Sequence, residues 1–161
     1  MAAGSTYTPI GTYTVTGSSQ RQYTFTSIPS TYTDLVLVVR GSAGAGANCY
    51  IRFNSDTGTN YSFIYMSGNG SGTESGKAAT QDAAYAGAFY GNSMCTTHIM
   101  NYANTSSYKT ILTRNGDAAQ FARTFSNTWR STSAINSVAF FGNEANLDVG
   151  TTLTLYGIAA A

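Results

Sequence analysis

The chain carries one histidine, His98, and no second one. Catalytic triads and zinc sites need partner side chains at matching spacing. His98 lies in a β-type run without them, so it reads as structural. Acid–base cleavage of sugars needs two converging carboxylates. Only Glu144 and Asp148 lie close together among the seven acids. Asp56 sits in the turn NSDTGTN, where it offers a single carboxylate. An Asx turn accounts for it better than a calcium site, which needs several oxygen ligands.

Residues 70–77 read GSGTESGK, near the phosphate-loop pattern. That pattern requires a glycine where Ser71 stands and Ser or Thr where Ala78 stands. The segment therefore reads as a surface loop. Cys49 and Cys95 do not have metal-pair spacing. Both read as small buried hydrophobes of a protein made in a reducing cytosol. The sequence assigns no catalytic, cofactor-binding or metal-binding residue and no cofactor.

Charge narrows the partners. Charged residues make up 9% of the chain. An average globular protein has about a quarter. The net charge is +1, without a basic run. Phosphate-directed nucleic-acid binding needs clustered cations. Arg114, Arg123 and Arg130 are the nearest approach to a group, and they read as strand ends or inter-subunit partners. The sequence thus points to no nucleic-acid partner. It also points to no membrane partner, because no apolar run approaches the roughly 20 residues of a span. The first five residues lack the charged and apolar regions of a signal peptide.

The chain has 12 Tyr, 8 Phe and one Trp. Exposed tyrosines and Trp129 are able to stack on sugar rings; the competing reading places them in a core or a subunit interface.

The elements that must position these residues are strands. Residues 34–40 are the most apolar run, with Leu35, Leu37 and Val39 on one face and Val36 and Val38 on the other. This pattern predicts burial on both faces. Residues 10–16 and 20–26 alternate around a turn at 17–19 and predict a hairpin. Further strands are expected at 48–53, 61–67, 95–102, 108–114, 121–130, 134–141 and 151–158; at 121–130 the spacing of Phe121, Phe125 and Trp129 also fits one face of a helix, and the Thr, Ser and Asn between them favour the strand. Asn115-Gly116 is expected to close one of them with a turn. The Gly-, Ser- and Ala-rich residues 68–87 read as a long contact loop with a short helix near 78–85. The expected architecture is an all-β antiparallel sandwich of jelly-roll type with nine or ten short strands. It forms one domain over residues 10–161, preceded by a polar arm at 1–9.

Several segments resemble small β-rich virion structural proteins and tail-fibre modules of tailed bacteriophages, notably those of marine bacteria and cyanobacteria. They are YTFTSIPSTYTDLVLVVRG (23–41), IRFNSDTGTNYS (51–62), HIMNYANTSSYKT (98–110), WRSTSAINSV (129–138) and VGTTLTLYGI (149–158). The resemblance implies a virion structural protein that is a homotrimer, binds other virion proteins and has no enzymatic activity. The short chain, without a shaft, favours a capsid decoration (cement) protein that stabilises the major capsid lattice. The alternative is a tail-fibre or tail-tip module for host surface glycan, presenting Trp129 or loop tyrosines. The arm and residues 68–87 are the expected contact elements.

Overall fold

The computed structural model describes residues 6–44, 46–117 and 120–159. Among these residues twelve strands follow one another: β1 (Tyr7–Thr14), β2 (Gln22–Phe25), β3 (Asp34–Gly41), β4 (Ala47–Phe53), β5 (Tyr61–Gly68), β6 (Thr73–Gln81), β7 (Ala84–Phe89), β8 (Ser93–Ile99), β9 (Lys109–Asp117), β10 (Phe121–Trp129), β11 (Val138–Gly142) and β12 (Thr152–Ile158). An eight-stranded sheet has the order β1-β12-β3-β8-β9-β10-β5-β6, and a four-stranded sheet has the order β2-β11-β4-β7. Every pairing is antiparallel. The molecule is an all-β jelly-roll-type sandwich, with slightly more strands than expected.

The core lies between the sheets. Leu35, Leu37 and Val39 of β3 are fully buried in one cluster with Ile51, Phe53 and Phe140 of the small sheet. Burying each such aliphatic chain contributes about 1.5–3 kcal/mol. Phe53, Tyr61 and Trp129 form one aromatic knot, with centroids 5.5–6.2 Å apart. The Tyr61 hydroxyl also accepts the Phe53 amide at 3.0 Å. On its other face β3 has no second layer among the described residues. Val36 is buried and Val38 half-buried only by flanking side chains, so the expected double coverage gives way to an open outer face.

Other expectations are corrected. Residues 10–26 form no hairpin: β1 pairs with β12 in the large sheet and β2 with β11 in the small one. The chain uses Gly17, at φ 74°, to cross between sheets. Tyr7 to Pro9 belong to β1, so the arm expected at residues 1–9 is partly strand; residues 1–5 lie outside the described residues. Residues 68–87 are not a loop with a helix. They include all of β6 and the start of β7. Asn115 and Gly116 do not turn; β9 continues through them to Asp117, opposite Arg123 and Ala122.

The two sheets differ in width, and this shapes the surface. The large sheet overhangs the small one at β5 and β6. Asn127 of β10, the strand beside the overhang, reaches the free edge of β7. Its side-chain carbonyl accepts the Tyr85 amide at 2.8 Å and its Nδ2 donates to the Tyr85 carbonyl at 3.3 Å. A side-chain amide thus takes the place of a missing strand.

Candidate functional site

The residues with catalytic or ligating chemistry are held in separate structural roles. His98 Nε2 lies 2.8 Å from Asp34 Oδ2, and Asp34 Oδ1 accepts the Asn101 amide at 2.8 Å. This pair fastens β3 to the end of β8. Asp56 is surrounded by donors: the Gly58 amide (2.8 Å), Asn60 Nδ2 (3.0 Å) and the Trp129 indole (2.7 Å). A carboxylate that faces N–H groups has no oxygen-rich shell to share with a cation. Asp148 accepts the Ser42 hydroxyl at 2.7 Å, while Glu144 is exposed. Among the described residues no three His, Cys, Asp or Glu side chains group as metal ligands.

The glycines of 70–77 form the β5–β6 hairpin and enter β6, so the segment continues as strand where a phosphate loop would open a helix. Cys49 and Cys95 are free and buried, and burial pushes both thiols upward, Cys95 to about 12.

The arginines separate. Arg130 donates to the Thr59 carbonyl at 2.7 Å. Arg123 lies over the Phe121 ring at 4.2 Å, donates to Ser67 Oγ at 3.0 Å and approaches Glu74 at 3.7 Å. Arg114 is exposed on the outer face of β9. Arg114 and Arg123 border the same groove; Arg130 does not.

Two surface features remain after these assignments. The first is that groove, about 1100 Å³, on the outer face of the large sheet. Its floor follows from the strand register. Gly116 pairs with both Met94 and Ala122, and Ala122 pairs with Gly68. One row across three strands therefore has nothing larger than a methyl group. In a neighbouring row Arg114 lies opposite Thr96 and Thr124, and Thr124 lies opposite Met66.

The second feature is an aromatic strip on the other side of the sandwich. Phe141, Tyr50, Tyr85, Phe63 and Tyr65 are each half-buried. Successive ring centroids are 5.9, 5.1, 5.3 and 6.4 Å apart. The strip runs from the small sheet onto the overhang, and the Arg52 guanidinium covers Phe141 at 4.6 Å. Sequence reasoning missed it because its members come from β4, β5, β7 and β11, and only the topology brings them together. The signal available was the alternation at Phe63 and Tyr65. Trp129 is not part of either feature. It is 2% exposed and belongs to the core.

No family model and no curated protein matches the chain. Among solved structures, the Caenorhabditis elegans galectin LEC-6 is similar, with 12% identity, a TM-score of 0.40 and coverage of 92% of this chain and 96% of that one. A single mutant of congerin II has 12% identity and a TM-score of 0.38, covering 82% of this chain and 98% of that one. A mutant of the GH43 protein BlXynB of Bacillus licheniformis has 9% identity and a TM-score of 0.37, covering 86% of this chain and 32% of that one. Similarities of this size support no statement about binding or activity.

Proposed function

We propose that the chain is a structural protein of a tailed bacteriophage virion, a capsid decoration protein that stabilises the major capsid lattice as a homotrimer and catalyses no reaction. The observation that carries this reading is the half-buried strip from Phe141 to Tyr65. Tyr and Phe are enriched at protein–protein interfaces and ions are depleted at interface cores. Arg52, the cation that covers the strip, is already paired with Asp82 at 2.8 Å and stacked on Phe141. Docking the strip therefore desolvates few uncompensated charges.

The trimer has a second support. β6 is an edge strand of nine residues, without proline, paired only with β5 among the described strands. Open edges of that kind invite pairing with other chains, and a closed oligomer covers them. The opposite edge, β1, is interrupted by Pro9 and a register shift beside it. Light scattering on the purified protein is expected to give three times the chain mass; a monomer at all concentrations contradicts the trimer. Co-sedimentation with phage capsids lacking the protein tests the decoration role.

The alternative, a tail-fibre or tail-tip module that presents Trp129 or loop tyrosines to host surface glycan, loses Trp129, which is buried, and keeps the exposed loop tyrosines Tyr90 and Tyr108.

A further inference from the structure

We propose that the groove on the outer face of the large sheet is a binding site for an acidic saccharide, one carrying carboxylates, with Arg114 as the residue that engages the carboxylate. The groove lies on the opposite side of the molecule from the aromatic strip, so its occupancy is independent of the decoration role.

Charge favours an anionic ligand. Arg114, Arg40 and Lys77 are exposed, and none has an ion-pair or hydrogen-bond partner among the described residues. All three belong to the outer face, since Arg40 pairs with Met94 and Lys77 with Ile64 in register. The nearby carboxylates of Asp34 and Glu74 are already engaged, Asp34 by His98 and the Asn101 amide, Glu74 by Arg123. The face is therefore positive in a chain of net charge +1. These cations spread from β3 to β6 in the large sheet. Strands lie about 4.8 Å apart, so five steps span roughly 24 Å. That spacing suits an extended polymer with a charge on some units. It is too sparse for the phosphate-dense backbone of a nucleic acid, and the residues lining the groove include no aromatic ring for stacking bases.

The floor favours a sugar ring. Gly116 and Gly68 have ordinary strand backbones. A Cβ on Gly116 would meet nothing nearer than the Phe121 carbonyl at 3.4 Å, and on Gly68 nothing nearer than the Gly72 carbonyl at 3.8 Å. Neither packing nor conformation demands glycine at these points, yet their smallness with Ala122 is what makes the depression. A pyranose ring is able to approach the bare backbone there. Met66 is 67% exposed and Met94 is 50% exposed, and both flank the depression. Methionine supplies flexible apolar walls suited to C–H faces. Thr96 and Thr124 flank Arg114 in register and offer hydroxyls to ring substituents. A few polar groups among apolar walls, with one fixed charge, is the usual make-up of a small-molecule site. Arginine matches a carboxylate with two parallel donors.

The test is calorimetric titration of the full chain with oligosaccharides of galacturonate, glucuronate and sialate, beside a neutral dextran oligomer of equal length. Saturable binding of at least one acidic series is expected, with dextran at least about tenfold weaker. Arg114→Gln is expected to weaken that binding by about tenfold, the loss of one charge-assisted pair. It should leave Tm unchanged, since the side chain is exposed. Gly116→Leu fills the floor and should abolish binding; Gly72→Ala, in the hairpin turn outside the floor row, should not. Absence of binding to all three acidic series overturns the proposal. So does equal binding of dextran, or binding undiminished in Arg114→Gln. Loss of self-association in Arg114→Gln, without saccharide binding by the parent chain, assigns the groove to a second copy and overturns it as well.

Discussion

The indole Nε1 of Trp129 donates to Asp56 Oδ2 at 2.7 Å, across 73 residues of sequence. It ties the β4–β5 turn to the last residue of β10 and lets the largest side chain of the protein be buried with its N–H satisfied. Asp56→Ala leaves that N–H without its acceptor, and a loss of about 1–3 kcal/mol is expected in denaturant titration, read by Trp129 fluorescence. Partial burial raises the Asp56 pKa, but hydrogen bonds from Asn60, Trp129 and the Gly58 amide outweigh it and hold the group below its ordinary 3.8. A lowered native pKa gives stability that is present above the ordinary value and lost as pH falls through the native one. Asp56→Asn should lack this acid-side loss; an unchanged acid limb in the variant contradicts the assignment.

Alkaline pH probes the core. Burial pushes Tyr85 to about 12 and Cys95 to about 12, and raises Cys49 and Tyr61 as well. These groups stay protonated in the native state while the unfolded chain ionises, its cysteines near 9.0 and tyrosines near 10.0. Their contribution is complete below those values and is lost as pH rises towards the native ones. Tm is therefore expected to fall from about pH 9 upward. Burial lowers the pKa of Lys109 and works the other way, adding stability as pH approaches 10.5. Cys95→Ala should flatten the first part of the fall. A Tm that holds steady to about pH 11 contradicts the buried placement of these groups.

Gly76 of β6 is a packing requirement. A Cβ there would meet Tyr65 Cε1 at 2.6 Å, because the ring lies across the strand. Gly76→Val should expel the ring and cost about 1–3 kcal/mol of stability, measured as a lower denaturation midpoint. Gly70→Ala changes a turn where nothing lies within 4 Å, although its φ of +84° is one that glycine favours. Its cost should be about 1 kcal/mol and purely conformational, with the Tyr65 environment unchanged by NMR.

A charge placed in the aromatic strip should disrupt docking. Tyr50 touches both Tyr85 and Phe141 and lies at the middle of the small sheet's outer face. Tyr50→Glu places a charge where the proposed interface excludes water, and capsid affinity is expected to fall at least about tenfold. The fold should survive, because the side chain is only half-buried. Undiminished capsid binding removes the strip from the interface.

Strands with a period-two apolar face are legible in the sequence. Leu35, Leu37 and Val39 mark β3, Leu153 and Leu155 mark β12, and Phe121, Phe125 and Trp129 resolve as one face of β10. β6 is not legible there, because its side chains are polar or small and largely exposed on both faces. Its order comes from pairing with β5 and from Tyr65 lying over Gly76. The hairpin expected from residues 10–26 does not form, because alternation identifies a strand and not its partner. Asn115-Gly116 carries a turn signal that cross-strand pairing with Arg123 and Ala122 overrides. The groove and the strip rest on register between strands distant in sequence, which no local pattern encodes.

The most direct measurement is a sedimentation binding assay of the purified protein with phage capsids that lack it and, separately, with intact host cells. Saturable binding to capsids, weakened by Tyr50→Glu, is expected of a decoration protein. Binding to cells with none to capsids contradicts that role.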